Sequence, residues 1–170
     1  MPKDKSAADF FPKVTSFTAT RRKLPHWQNP GSVYFITWRC KNPQELSNAE
    51  RTITLESIRF WDRQHWLLFA AVIMPDHVHL LAQPLPTLQD EYINLGKIIK
   101  SVKTYSSRSI NQLRGQPGPV WQPERYDRIV RNDAEFLEKW QYIRNNPIKA
   151  GLAVHPEDYP WLYESINPIW

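Results

Sequence analysis

Two histidines one residue apart, His77 and His79, sit in the stretch Ala70 to Pro84, AAVIMPDHVHLLAQP. Apolar runs from Leu67 to Met74 and from Val78 to Ala82 flank a Pro-Asp turn, the pattern of adjacent strands in a hairpin. Side chains alternate along a strand, so both imidazoles project from one face while Val78 and Leu80 take the other. Such a pair offers two nitrogen donors to one divalent ion. The competing reading is an ordinary pair of core or surface histidines. Position 81 is Leu, so the third alternating His of a histidine-triad nucleotide hydrolase is missing. His26 and His155 fall in irregular segments and His65 precedes a strand, places suited to surface or capping roles.

A second candidate group lies downstream. Tyr142 and Asn146 are four residues apart, hence neighbours on one helical face, while Phe136, Leu137, Trp140 and Ile143 lie mostly on another. A tyrosine that the apolar stripe does not need, with a carboxamide one turn later, suggests a phenolic nucleophile beside a metal-contacting oxygen. Tyr105, among Lys103, Ser106, Ser107 and Arg108, is the rival nucleophile.

The elements that must position these groups follow from periodicity. Ser32 to Arg39 is aromatic and β-branched with both faces largely apolar, which predicts a central strand covered on both sides. Helical spacing runs from about Pro43 to Gln64, with Ser47 or Asn48 as cap, and again from Leu88 to about Leu113. On the second helix Lys97, Lys100 and Lys103 recur every three residues, with Arg108 beyond, either a basic ridge for a phosphate backbone or a solvated face. Gly115 to Pro119 breaks that helix, and Tyr126 to Val130 reads as a short strand or an extended connector. Asn132 with Glu135 opens a helix that Pro147 is expected to end, after which the chain reads as an irregular tail.

The totals set limits. A chain of 170 residues fits one domain. Residues 1–31, with Arg21, Arg22, Lys23 and Trp27, read as a basic N-terminal arm without regular structure. Lys and Arg number 22 against 17 Asp and Glu, giving +5, which favours a polyanionic partner. The lone Cys40 excludes an internal disulfide and a cysteine-based zinc site and fits a reducing cytoplasm. No signal peptide or apolar run long enough to span a bilayer is present, so no membrane role is expected.

Taken together, His77-Val78-His79, then Tyr142-Ile143-Arg144-Asn145-Asn146-Pro147 and Lys149-Ala150-Gly151, resemble the single-tyrosine HUH transposases, and within them the REP-associated tyrosine transposases. Further likenesses are Arg21 to Trp27 with Pro30-Gly31, Tyr34 to Thr37, Trp121-Gln122, Tyr126 to Arg131, and Pro156 to Trp161. The resemblance covers about residues 20–163. It implies a single-domain α+β fold over residues 32–163, an antiparallel sheet with helices on its faces in the HUH or ferredoxin-like manner, followed by a tail at 164–170. It implies a divalent metal, magnesium or manganese, on His77, His79 and Asn146, the last directly or through water. It implies a cytoplasmic, metal-dependent endonuclease and strand transferase, acting through a 5′-phosphotyrosine on single-stranded DNA beside repetitive extragenic palindromic hairpins. Monomer and homodimer both occur among such proteins. The alternative is a noncatalytic hairpin-binding protein of the same fold. Hairpin phosphates would meet Arg21, Arg22, Lys23, Lys97, Lys100, Lys103 and Arg108, and an unpaired flank would meet Trp27, Trp121 or Arg125.

Overall fold

The structure is a computed structural model; it describes residues 18–20, 26–41 and 44–165, with the side chains of 18–20 and 26–28 outside it. In chain order the elements are strands β1 (Thr18–Thr20), β2 (His26–Gln28) and β3 (Tyr34–Cys40), helix α1 (Asn48–Arg59), strands β4 (Trp66–Ile73) and β5 (His77–Pro84), helix α2 (Leu95–Arg114), strand β6 (Trp121–Ile129), helix α3 (Asp133–Lys149) and strand β7 (Leu162–Glu164). A single 3-10 turn, Pro156–Asp158, precedes β7. The main sheet has the order β6-β3-β5-β4-β7, with each neighbouring pair antiparallel. The histidine strand β5 is therefore central, and β6 and β7 are edges.

Alternation along the strands builds two cores. Ile36 and Trp38 of β3, Ala71 and Ile73 of β4, and Val78 and Leu80 of β5 point to α1 and α2. Phe35, Val72 and Leu81 point the other way, to Phe136 and Ile143 of α3. Because α3 lies mainly over β4 and β5, the β3 and β6 part of that second face is less covered among the described residues.

Caps fix the helix ends. Ser47 and Glu50 close a reciprocal capping box on α1, and Glu50 also binds Arg114 at the end of α2, Nε to Oε1 at 2.5 Å. Asn132 caps α3 by accepting from the Glu135 N–H, while the Glu135 carboxylate accepts from Arg131 N. Gly115 stops α2 in the left-handed region, φ 66°.

Several expectations need correction. The α2 helix begins at Leu95 and not at Leu88, because the Asn94 side chain caps it at Gly96 N and Thr87 to Glu91 closes its own turn. Pro147 does not end α3; it lies buried in the last turn, and the helix runs to Lys149. A proline in the final turn gives up one backbone bond where the ladder is ending anyway. On α3, Leu137 is exposed, whereas Phe136 and Ile143 are buried. The segment after α3 is not irregular: β7 pairs with β4, and Ser165 N bonds Phe69 O, so ordered pairing continues past the expected boundary at 164. Arg144 anchors this strand through Glu164 (2.5 Å) and Glu157. The arm also holds structure, since β1 and β2 pair antiparallel and β2 lies against β6. Arg21, Arg22 and Lys23 fall between these strands, outside the described residues. Trp27 lies on β2, its side chain likewise outside them.

Candidate functional site

The turn before β5 is short: Met74 N bonds His77 O at 2.8 Å, while the Pro75 and Asp76 carbonyls accept from Leu46 N and Cys40 N. This fixes where β5 begins, and hence where His77 and His79 point. Their ring centroids are 4.7 Å apart at 72°. His77 Nδ1 lies 2.6 Å from Asp76 Oδ1, and His79 Nδ1 lies 2.6 Å from Thr37 Oγ1, its neighbour across the β3-β5 ladder. An ionised carboxylate only accepts, so His77 donates from Nδ1 and keeps the Nε2 lone pair. The same tautomer of His79 donates to the Thr37 hydroxyl. Burial pushes the His79 pKa down to about 3, with His77 and Arg39 adding to the shift, so the ring is neutral at ordinary pH.

These features fit a shared cation. Two imidazoles side by side, each held by a hydrogen bond on one nitrogen, are what a metal-binding pair requires. Nitrogens about 2.1 Å from one ion, in neighbouring coordination positions, place ring centroids roughly 4.5–5 Å apart, which brackets the observed spacing. Among the described residues no three His, Cys, Asp or Glu side chains form a metal group. Asn146, one helical turn after Tyr142 on α3, is partly buried, and its amide oxygen is a donor type that divalent cations accept.

Tyr142 comes down on this pair from α3. Its ring is 5.2 Å from that of His79 and 5.8 Å from that of Phe35, both edge-on, and the Lys149 ammonium lies 5.6 Å from its centroid. At 39% exposure the phenol is open to a ligand, while adjacent Ile143 is fully buried and fixes the helix. Tyr105 is elsewhere. It stands on α2, across the sheet, 63% exposed in a hollow with Phe60 and Trp61, just past the end of α1. The thickness of the sheet separates it from the histidines.

The cationic residues of α2 gather at a second place. Lys97, Lys100, Lys103, Arg108, Trp121 and Arg125 line one groove of about 730 Å³ between α2 and β6, on the face away from the histidines. Lys97, Lys100 and Arg108 are exposed there. Three of the six are tied into the fold. Lys103 Nζ donates to Gln122 O at 2.6 Å, and Arg125 pairs with Asp127 at 2.9 Å. Trp121 is 6% exposed, donates from Nε1 to Ser106 Oγ and packs edge-on against Trp38. That is the setting of a core indole and not of a platform for a base.

Sequence reasoning missed Asp76, Thr37, Arg39 and Tyr126, all near the pair. Asp76 directly precedes His77, and Thr37 is a polar residue on a face shared with the apolar Val33 and Phe35, so both left a signal. Arg39 pairs with His77, and Tyr126 with Thr37, only through strand order, which no local pattern reveals.

The chain is also similar to known proteins. A family profile described as Transposase IS200 like matches residues 31–146. A Haemophilus influenzae protein, provisionally named a REP-associated tyrosine transposase, is 30% identical over 101 residues, 54% of this chain and 55% of the relative. The match thus spans about half that relative's length. The REP-associated tyrosine transposase of Escherichia coli is 24% identical over 133 residues, 77% of this chain and 75% of the relative. A solved REP-associated tyrosine transposase bound to a REP hairpin superposes with TM-score 0.68 at 19% identity, covering 84% of this chain and 82% of that one. The α+β sheet with helices on both faces is the fold of that protein.

Proposed function

The chain belongs to the IS200-like transposase family, and on that footing we propose that it nicks and rejoins single-stranded DNA beside hairpins of repetitive extragenic palindromes. The observation that carries this reading is the Tyr142 ring 5.2 Å from His79 within one chain. A phenol set against two hydrogen-bonded imidazoles has no structural need to be there half-exposed.

Magnesium or manganese held by His77, His79 and Asn146 would polarise the scissile phosphodiester and offset the charge that builds on it. The protein's own residues do the rest. Asp76 accepts from His77 Nδ1 and Thr37 bonds His79 Nδ1, which holds the two rings in orientation. Helix α3, seated by Phe136 and Ile143, holds the Tyr142 oxygen on the same side of the sheet. That oxygen forms a bond to phosphorus as the bond from phosphorus to the 3′ oxygen breaks. The phenolic proton goes to solvent, and the 3′ oxygen leaves as a hydroxyl. The 5′ end stays joined as a phosphotyrosine until a 3′ hydroxyl from the same or another strand reverses the step, which is strand transfer.

The hairpin is assigned to the other face. Lys97, Lys100 and Arg108 meet its phosphates in the groove, with Arg21, Arg22 and Lys23 of the arm adding charge. Labelled single-stranded DNA carrying a hairpin tests the whole reading. The unaltered protein and Tyr105→Phe are expected to give a covalent adduct with manganese or magnesium, and Tyr142→Phe none. His77→Ala should bind without nicking. An adduct in Tyr142→Phe overturns the assignment, and binding without nicking by the unaltered protein marks a noncatalytic hairpin-binding protein.

A further inference from the structure

The site face continues beyond the histidines. Across the ladder from His79 comes Thr37, and across from Thr37 comes Tyr126 on β6; one register step away, Arg39 stands beside His77. Helix α3 lies mainly over β4 and β5, so among the described residues this half of the face is less covered. Tyr126 is 50% exposed, and the Arg39 side chain is 59% exposed. Arg39 touches Asp76 at 3.4 Å, a long contact between two exposed groups and easily exchanged. Tyr126 lies beside Arg128, two residues on and on the same face, which pairs with Glu135 of α3 at 2.7 Å.

Resting on the reading above, we propose that Arg39, Thr37 and Tyr126 form a shelf for the nucleotide next to the scissile phosphate, Tyr126 stacking on its base and Arg39 binding the adjoining phosphate. Two strand spacings, about 10 Å, separate Tyr126 from the histidine strand, the reach of one nucleotide from a phosphate bound there. The position on β6 gives a second reason. Consecutive residues of this edge strand face opposite sides, Arg125 into the basic groove and Tyr126 onto the site face. A strand leaving a hairpin in the groove reaches the histidines by turning around this edge, where the Tyr126 ring stands exposed on its path. An aromatic face accepts any base, so the shelf holds a nucleotide without selecting its identity.

The test uses the full chain carrying Tyr142→Phe, so that cleavage does not interfere. The probe is a short single strand with 2-aminopurine at successive positions. One position is expected to be quenched on binding. Tyr126→Ala should abolish that quenching and weaken single-strand binding about tenfold, the size of one base-aromatic stack. Tyr126→Phe should keep both, and Arg39→Ala should weaken binding without removing the quenching. A hairpin with no unpaired flank should bind Tyr126→Ala as tightly as the parent, which also reports that the variant is folded. Unchanged quenching in Tyr126→Ala, or equal losses in the Phe and Ala variants, overturns the shelf. Phosphotyrosine formation on an otherwise unaltered chain separates the two readings. An adduct formed by Tyr126→Ala with unaltered KM removes the shelf and leaves the transposase. Base stacking without any adduct leaves the shelf and removes the transposase.

Discussion

At the residue scale, the site rests on hydrogen bonds to the far side of each imidazole. Thr37→Val leaves His79 Nδ1 without its partner, and Asp76→Asn replaces an obligate acceptor with a group that can also donate. Each substitution is expected to weaken manganese binding tenfold to a hundredfold, measured by titration of the DNA-free protein, while Thr37→Ser retains most of it. The same burial that keeps His79 neutral makes the metal-free fold sensitive to acid. Its folded pKa, near 3, lies below the ordinary value of 6.5, so the unfolded chain binds the extra proton first. Stability is therefore full above about pH 6.5 and falls by a few kcal/mol as pH drops towards 3. Denaturant titrations over that range should show the slope, and His79→Phe should flatten it. The histidine pair and Tyr142 were legible because strand and helix periods act over a few residues. Their supports were legible only in part, since Thr37 is 42 positions from His79 in the chain and is brought beside it by the sheet.

At the element scale, starts of helices were readable and their surroundings were not. Ser47 and Asn132 announce α1 and α3 through the residue three places on, a purely local signal. Pro147 misleads because a proline rule assumes a helix interior, and here the ring sits where only one turn remains. Strand β7 is three residues long and owes its existence to the open edge of β4, so nothing in its own composition declares it. Glu50 shows how one side chain can join elements. It caps α1 and binds Arg114 of α2, which in turn holds Gln44. Burial works to raise the Glu50 pKa, but Arg114 and the Ser47 N–H outweigh it and hold the carboxylate below its usual range. Glu50→Gln is expected to cost about 2–3 kcal/mol in urea unfolding, since it leaves a partly buried guanidinium poorly matched. The loss should shrink as pH falls below the ordinary glutamate range and through the lowered pKa of this carboxyl, where its contribution fades.

At the scale of the whole molecule, the two groups of candidate residues lie on opposite faces of the sheet, the basic groove on the α2 side and the histidines and Tyr142 on the α3 side, so the proposed function divides labour between faces. Composition foretold the excess of positive charge but not this partition, because helical spacing alone does not say which face of the sheet a helix covers. The partition separates binding from chemistry in a measurable way. Lys97→Glu with Lys100→Glu and Arg108→Glu should lower hairpin affinity and reduce the salt dependence of binding by about one unit of slope for each phosphate no longer neutralised. Cleavage of a short single strand without a hairpin should proceed at an unchanged maximal rate, because no reacting group lies on that face. A second consequence comes from Tyr142 and His79 meeting within one chain. Mixing the His77→Ala and Tyr142→Phe variants should not restore nicking, since neither polypeptide then carries both halves of a site. Restored activity would require the tyrosine helix to pass between chains, and the packing of Ile143 and Phe136 against this chain's own sheet opposes that exchange.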